Sequence, residues 1–280
     1  MSDLSGRFAT RLAATPFTLL GMVHVRPLPG SPRWEGSLRS VVDDALRDAR
    51  VLADAGFDGV VVENFGDVPF VPDASPPETV AAMAVVVSAV REMLPAGMLV
   101  GVNMLRNDAA GAMAVASVAG AELIRVNVHV GSAWTDQGLI HGRAHESLRM
   151  RSRLGVPVAV LADVLVKHAE PVAAIDPANM ARDALDRGLA DGLVVTGPAT
   201  GAAVDTTRLR RTVAGAGGRP VLAGSGTTPE TVAELHAAGA HGAIVGTWCK
   251  VDGRIEAPVD ADRAARLVVA RDRLSGSATG

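Results

Sequence analysis

Ionic and amide side chains occur where the short apolar runs of this chain end. Such groups are costly to bury unless they are paired or perform chemistry, so their repetition at strand ends indicates a functional cleft. The residues in question are His24, Arg26, Glu63, Asn64, Asn103, Arg106, Asp108, Arg125, Asn127, His129, Asp163, Lys167, His168, Thr196, Ser225, Thr227, Thr247 and Lys250.

Proton transfer is the chemistry that the carboxyl groups in this set favour. Asp163 and Glu63 are the expected acid–base pair, because a carboxyl group at a strand end can exchange a proton with a bound ligand. Lys167 and His168 are the next candidates, since a lysine becomes a nucleophile when desolvation or a nearby cation lowers its pKa. His24 could act as an acid, a base or a ligand, or could be a hydrogen-bonded core residue.

The two carboxylates also have a structural interpretation. Glu63 could pair with Arg125 or Lys167 from a neighbouring strand, and Asp163 could belong to an ion pair. Strand alternation predicts that Asp163 and Lys167 share one side of their strand while His168 lies on the other.

The segment GSGTTPE after the seventh apolar run predicts an anion site. Its small residues stand just before a predicted helix, so their backbone N–H groups could approach a phosphate closely. The segment GTWCK after the eighth run adds further N–H donors and a cation. A tight turn capped by a threonine is the alternative interpretation of GSGT. The expected phosphate and substrate ligands are Gly224, Ser225, Gly226, Thr227, Gly246, Thr247, Lys250, Asn103, Arg125 and Asn127.

The sequence identifies no cofactor. Asp163 and His24, with Glu63 and His168, could in principle hold a divalent metal, but the chain contains no HxH or HExxH pair, so a metal site is not favoured. The single cysteine, Cys249, has no base beside it in the sequence and is expected to be a structural thiol.

Eight apolar runs alternate with helical segments and must position these residues. Strands are predicted at 18–25, 59–63, 99–103, 122–127, 158–164, 192–196, 220–224 and 242–246, with helices at 38–55, 77–94, 108–119, 142–154, 177–187, 206–214, 229–238 and 260–274. Continuous apolar strands indicate a parallel sheet, and eight such units predict a closed (β/α)8 barrel. A doubly wound sheet is rejected because the first turn, VHVRPLPGSP, lacks a GxGxxG pattern.

Local signals mark several helix ends. Glycines at 56, 120, 188 and 239 are expected as left-handed caps, and TPET at 228–231 is expected to begin a helix with a threonine cap and a proline. We expect a single domain over 1–280, with an N-terminal extension at 1–16 and a frayed tail at 275–280.

The composition of the 280 residues excludes several classes of protein. Hydrophobic residues make up 48% and aromatic residues only 3%, so the core must be aliphatic. A net charge of -3 without a basic block argues against nucleic-acid binding. We expect a cytoplasmic protein without a signal peptide or transmembrane segment, and a homo-oligomer is compatible with the sequence.

Nine segments in order along residues 19–262 resemble the BtpA/SgcQ family, among them GMVHVRPLPGSPRWEG, DGVVVENFGDVPF, ELIRVNVHVGSAWTDQGLIHG, ADVLVKHA and GAIVGTWCKVDG. The resemblance implies a TIM barrel of the ribulose-phosphate-binding type. Some members are linked to photosystem I biogenesis or stability, and others occur among sugar-metabolism proteins. The shared motif positions are His24, Pro27, Gly30, Glu63, Asn64, Asp67, Asn103, Arg106, Asn127, Thr135, Asp136, Gln137, Asp163, Lys167, His168, Gly226, Lys250 and Asp252.

Two functional hypotheses from different classes follow. The leading one is an enzyme for a small phosphorylated sugar or nucleotide-derived metabolite, with isomerase, epimerase, lyase or hydrolase chemistry. The other is a non-catalytic assembly or stability factor that binds a protein or a cofactor, which predicts an exposed apolar patch. A barrel that only retains an anion site remains a third possibility.

Overall fold

A closed barrel of eight parallel strands, described by a computed structural model over residues 10, 12, 14–197 and 199–276, forms the centre of the molecule. Consecutive barrel strands are neighbours, and the last pairs with the first. The barrel strands are β1 (Thr18–His24), β2 (Gly59–Glu63), β3 (Leu99–Asn103), β4 (Leu123–Val126), β7 (Ala159–Val164), β9 (Gly192–Val195), β10 (Val221–Ala223) and β11 (Gly242–Val245). All eight predicted strands are therefore confirmed.

Helices cover the outside of the barrel. They are α1 (Leu38–Ala55), α2 (Pro77–Met93), α3 (Ala109–Ala119), α4 (Ala144–Leu154), α5 (Pro177–Arg182), α6 (Thr206–Ala216), α7 (Val232–Ala237) and α8 (Ala261–Gly276). A π-helical turn, Asp183–Arg187, continues α5. No helix in the described part of the chain is long and apolar enough to cross a membrane.

Strand alternation gives the barrel interior an apolar base and a polar top. Inward-facing residues such as Met22, Val61, Leu123 and Leu161 form one buried cluster. The residue two positions later on the same strand points the same way, nearer the carboxyl end. Thus Met22 is followed two positions later by His24, Val61 by Glu63, Leu123 by Arg125 and Leu161 by Asp163. One periodicity therefore builds the core and brings the polar groups to the catalytic face of the fold.

A small antiparallel sheet that the sequence did not predict lies beside the barrel mouth. Its strands are β5 (Ser132–Thr135), β6 (Gly138–His141) and β8 (Ala169–Pro171), in the order β6-β5-β8. They belong to the long connections after β4 and β7, where the sequence showed only irregular segments. Because this sheet pairs two different loops, it fixes them relative to each other.

Two local predictions about helix ends were wrong. Gly188 is right-handed, with φ of -81°, and Leu189 takes the positive φ instead, because the π-helical turn adds a residue before the cap. Gly188 is needed for a close approach, since a Cβ there would lie 2.7 Å from the carbonyl oxygen of Ala184. The helix expected from 229 begins at Val232, because the Thr231 hydroxyl accepts the Thr228 N–H and holds a turn.

A buried ion pair joins the two ends of the barrel sequence. Lys250, which follows β11, donates from Nζ to Asp48 Oδ2 of α1 at 2.7 Å, and the Lys250 residue is only 1% exposed. The other Asp48 oxygen accepts the Val259 N–H at 3.1 Å. Lys250 was expected to supply a cation for phosphate, but its ammonium group is held beneath the loop and does not line the cleft described below.

The N- and C-terminal predictions are only partly covered by the structure. The extension at 1–16 and the tail at 275–280 lie largely outside the described residues, although α8 continues through residue 276.

Removing one partner of the Lys250–Asp48 pair should destabilise the fold without touching the cleft. We expect Lys250→Met to lower the free energy of unfolding by about 3 kcal/mol, because it leaves the buried Asp48 carboxylate with only the half-exposed Arg47, at 3.5 Å, as a charged partner. The double variant Lys250→Met/Asp48→Leu should recover most of that loss. Urea unfolding measures both effects, and an unchanged midpoint for the single variant would contradict the structural role.

Candidate active site

An open cleft of two adjoining lobes lies above the carboxyl ends of the barrel strands. The loop lobe, of about 150 Å³, is bounded by the connections that follow β10 and β11. The aromatic lobe, of about 280 Å³, lies over β2, β3 and β4 and is walled by Phe65, Phe70 and Leu105. Residues that line both lobes form their common boundary: Glu63, Arg125, Lys167 and Thr200.

The loop lobe presents backbone N–H groups without protein partners. No acceptor among the described residues receives a hydrogen bond from the N–H of Ser225, Gly226, Thr227, Gly246 or Thr247. All five residues line the lobe. Convergent free N–H groups in loops form an anion-binding concavity. The site therefore relies on the loops themselves, since α7 is short and begins only at Val232.

The conformation of this loop depends on Gly226 and Ser225. Gly226 has φ of +63°, and a Cβ there would lie 2.4 Å from the Cα of Ala203, so no other residue fits. The Ser225 hydroxyl donates to the Ala202 carbonyl oxygen at 2.9 Å and accepts the Gly197 N–H at 2.7 Å. Ser225 therefore offers a ligand its main chain rather than its hydroxyl.

Arg263 of α8 is the cation that sequence inspection missed at this lobe. Its Nε donates to the Trp248 carbonyl oxygen at 2.5 Å, and its guanidinium lies 4.2 Å from the Trp248 ring centroid. No carboxylate among the described residues lies within 4.0 Å of it. Arg263 lies far from the loops in sequence and inside a helix of mixed charge, so no motif singled it out.

Arg125 and Asp163 form a fully buried, two-pronged ion pair beneath the cleft. Arg125 Nε and Nη2 each donate to one Asp163 oxygen at 2.9 Å, and neither side chain is more than 2% exposed. Asn127 donates to the same carboxylate at 3.1 Å, and Asn103 donates to the Arg125 carbonyl oxygen at 3.1 Å. Both Asp163 oxygens are thus occupied, and Asp163 does not line the cleft. The structure therefore places the residue predicted as a general base beneath the cleft, with its carboxylate fully hydrogen-bonded.

Glu63 is the buried carboxyl group that does face the cleft. The nearest titratable side chain is His24, whose Nε2 lies 3.8 Å from Glu63 Oε1, beyond hydrogen-bond distance. Burial raises the pKa of Glu63, although Arg125 and Lys167 oppose the shift. Burial, with Lys250 and Lys167, lowers the pKa of His24 well below its usual value, so its imidazole is neutral at neutral pH. The anticipated Glu63 pairing with Arg125 or Lys167 does not occur within 4.0 Å.

Lys167 enters the cleft because the backbone leaves the strand before it. β7 ends at Val164, and Leu165 takes a φ of +56°, so the alternation predicted through residue 168 does not continue. Lys167 and His168 consequently both line the aromatic lobe instead of facing opposite sides. Burial, followed by Arg125, lowers the pKa of Lys167. No described carboxylate lies within 4.0 Å of its ammonium group.

His168 lies at the rim of the cleft. Its Nε2 is 2.9 Å from the Thr200 hydroxyl, and the residue is exposed. Burial of the ring and the cations Lys167 and Arg106 lower the pKa of His168. Its position suits contact with a ligand entering the cleft more than proton transfer at its centre.

The described residues do not support a metal centre. No group of three or more His, Cys, Asp or Glu side chains in this part of the chain could hold an ion. Asp163, one of the two residues considered for a metal, already accepts three hydrogen bonds from Arg125 and Asn127. Burial raises the pKa of the Cys249 thiol to about 12, as expected for a structural cysteine.

Structural comparison assigns the fold to a known type. Phosphoribosyl anthranilate isomerase from Thermus thermophilus superimposes with a TM-score of 0.58 at 14% identity, over 92% of this chain and 100% of that one. At this identity the similarity concerns the fold alone. The comparison thus confirms the (β/α)8 barrel that the sequence predicted.

Sequence comparison identifies the family. The BtpA family profile matches residues 15–273. An uncharacterized protein of Thermococcus kodakarensis is 48% identical over 252 residues, 89% of this chain and 93% of that protein. The photosystem I biogenesis protein BtpA of Synechocystis is 43% identical over 252 residues, 90% of this chain and 87% of that protein. The chain therefore belongs to the BtpA family.

Proposed function

We propose that this protein is an enzyme that moves a proton next to the carbonyl group of a small phosphorylated sugar. The observation that carries the proposal is the joining, in one cleft, of free backbone N–H groups with the unpaired side chains Glu63 and Lys167. The N–H groups would hold the phosphate, and the side chains would act on the carbon skeleton.

Glu63 is the proposed base. A general base works best when its pKa is near the working pH, and burial raises the pKa of Glu63 toward that range. Glu63 would take a proton from the carbon beside the carbonyl while Lys167 protonates the carbonyl oxygen, and Glu63 would then return its proton to the neighbouring carbon as the adjacent hydroxyl gives a proton back to Lys167. For epimerisation, Lys167 would instead protonate the original carbon from the opposite face, and exchange with solvent would restore both groups. This is isomerase or epimerase chemistry.

Lys167 and Arg125 are the proposed stabilisers of the charge that develops on the carbonyl oxygen. Both line the boundary between the lobes on which Glu63 also lies. Fixed cations in a partly dry site stabilise an enolate oxygen more than they would in water. Arg125 is held by Asp163 and cannot swing away, whereas Lys167, with its lowered pKa, could also donate a proton.

Neutral His24 fits a supporting role. Its ring lies 4.8 Å from the Phe65 ring, and its Nδ1 has no partner among the described residues. Because the imidazole is uncharged at neutral pH, it can hydrogen-bond a substrate hydroxyl without adding a second positive charge near Lys167.

A non-catalytic binding function is the second candidate. Apolar side chains on and beside the small sheet are exposed, including Trp134 at 56% and Val172 at 57%. Such a patch fits a protein partner, and the Synechocystis relative carries the name of a biogenesis factor. We favour the enzyme hypothesis over this one because the cleft contains polar groups, the free N–H groups with Glu63 and Lys167, that have no hydrogen-bond partner in the described part of the chain.

The phosphate site predicts a specific arginine effect. Glycerol 3-phosphate should raise the Tm of the wild-type protein, and Arg263→Met should weaken its binding about tenfold or more, the value of a charge-assisted hydrogen bond. Arg266→Met is the matched control, because Arg266 also lies over the Trp248 ring, at 5.2 Å, yet does not line the lobe. Equal affinity in both variants, measured by calorimetry, would remove Arg263 from the site.

Proton abstraction predicts isotope exchange. Ketose and aldose phosphates incubated with the protein in D2O should include one that gains deuterium beside its carbonyl, as followed by proton NMR. Glu63→Gln should slow this exchange at least about 100-fold, as expected for a missing base. Exchange in the wild type should decline as the pH falls through the raised pKa of Glu63. A panel that binds without any exchange would favour the binding function instead.

The two buried carboxylates should respond oppositely to neutralisation. A raised pKa means that the ionised form of Glu63 destabilises the folded state above the ordinary carboxyl pKa, and not well below it. Glu63→Gln should therefore raise the Tm at about pH 8 and leave it unchanged near pH 3. Asp163→Asn should lower stability by about 1–3 kcal/mol, because Arg125 loses its counter-charge. A Glu63→Gln protein that melts lower at both pH values would show that Glu63 is structural.

A further inference from the structure

The aromatic lobe holds a buried cation that the proposed reaction does not use. Arg106 follows β3 and is 5% exposed. Its Nη2 donates to the carbonyl oxygens of Lys167 and His168, at 2.8 and 3.4 Å. These bonds fix the guanidinium against the β7 connection, so it lines the lobe in a defined position.

The remaining donors of Arg106 are unsatisfied. Neither Nε nor Nη1 has an acceptor among the described residues, and Nε is completely buried. A buried donor without an acceptor costs about 1–3 kcal/mol, so a native protein rarely keeps one unless a ligand completes it. A fixed arginine with free donors at a cleft wall is suited to an acidic ligand group.

The charges that line the lobe balance in number, since Arg106 and Lys167 stand against the carboxylates of Glu63 and Asp136, but they are not paired in position. Arg125 is paired with Asp163, but Arg106 and Lys167 have no carboxylate within 4.0 Å in the described part of the chain. Asp136 also lines the lobe, and its carboxylate accepts a hydrogen bond from Gln137. A ligand group beside Arg106 is therefore expected to be anionic.

The walls of the lobe indicate which anion. Phe65 and Phe70 lie edge to face with ring centroids 6.4 Å apart, and Leu105 completes the apolar lining. Aromatic residues are only 3% of the chain, so their pairing here concentrates a scarce residue type in the cleft. Flat apolar walls and one guanidinium suit a planar carboxylate, whereas a phosphate requires several donors of the kind found in the loop lobe.

We infer that the substrate carries a carboxylate, or a similar planar anion, at the end opposite its phosphate. The carboxylate would accept hydrogen bonds from Arg106, the phosphate would occupy the loop lobe, and the carbon skeleton would pass Glu63 and Lys167 at the boundary. This inference rests on the proposed function, because it assumes the phosphate end. It narrows the substrate class from sugar phosphates in general to phosphorylated sugar acids and related keto acids.

The test compares ligands that differ only at the far end. ω-Carboxyalkyl phosphates of increasing chain length are titrated by calorimetry against ω-hydroxyalkyl phosphates of equal length and alkane bisphosphates. At the optimal length the wild-type protein should bind the carboxylate about tenfold or more tightly than the alcohol, which corresponds to about 1.4 kcal/mol. Arg106→Gln should abolish this preference while the hydroxyalkyl phosphate binds as before.

Two further variants keep the test conclusive if Arg106→Gln does not fold. Phe70→Asp places a negative charge in the lobe away from the Arg106 hydrogen bonds and should also remove the preference. Asp136→Asn is the matched control, since it removes a negative charge from the same lobe and should retain or increase the preference. Thermal melting without ligand confirms that each variant is folded.

The outcomes separate this inference from the phosphate site. Equal binding of acid and alcohol at every length, tighter binding of a bisphosphate, or a preference that survives both Arg106→Gln and Phe70→Asp would overturn it. 3-Phenylpropionate tests the lobe alone. If no phosphate ligand binds but phenylpropionate binds in an Arg106-dependent manner, the phosphate site is refuted and the carboxylate site is supported. If neither the phosphate ligands nor phenylpropionate bind, both sites are refuted.

Discussion

The Arg125–Asp163 ion pair is the interaction on which the chemistry of the cleft depends. It sits at the height where the barrel interior changes from aliphatic to polar, and solvent reaches neither side chain. Two parallel hydrogen bonds and the amide of Asn127 satisfy the carboxylate, which allows two charges to remain in a dry layer. Because Arg125 and Asp163 bind each other, Glu63, Lys167 and Arg106 above them have no oppositely charged side chain within hydrogen-bond distance in the described part of the chain.

The cleft combines two different sets of hydrogen-bond donors that have no acceptor among the described residues. The loop lobe uses main-chain N–H groups whose direction is set by backbone conformation, with Gly226 at the position that tolerates no side chain. The aromatic lobe uses a single guanidinium fixed by carbonyl groups of another loop. Several main-chain N–H groups can surround a tetrahedral anion such as phosphate, whereas a planar guanidinium group orients a planar anion such as a carboxylate. In the proposed reaction the reacting carbons would lie between the Lys167 ammonium group and the buried Glu63 carboxylate.

Most of the fold could be predicted from the sequence, because the signals that specify it are local. Buried parallel strands appear as continuous apolar runs, and the residue two positions past each inward core residue could be read directly, as for Glu63 after Val61. The loops that present free N–H groups to the cleft were equally visible as runs of small residues. Predicting these features does not require knowing which segments of the chain contact each other in the fold.

The site residues that the sequence misassigned depend on long-range contacts. Nothing near Lys250 indicates that its partner is Asp48, and nothing near Asp163 shows that Arg125 takes both of its oxygens. Arg263 and the small β5–β6–β8 sheet belong to the same category. The predicted alternation of side chains stops after β7 for a local reason, the positive φ of Leu165. Leucine rarely adopts a positive φ, so the residue type did not indicate this conformation.

The Lys250–Asp48 contact also has a consequence for biosynthesis. The two residues are separated by 202 positions, so the carboxylate on the first barrel helix gains this closest counter-ion only after residue 250 has been made, and until then Arg47, at 3.5 Å, is its nearest cation. A nascent chain ending before residue 250 would have to keep Asp48 hydrated, which opposes docking of that helix against its strands. Closure of the ring is thereby coupled to synthesis of the last barrel strand and of Lys250 after it, and premature collapse of the N-terminal half is disfavoured.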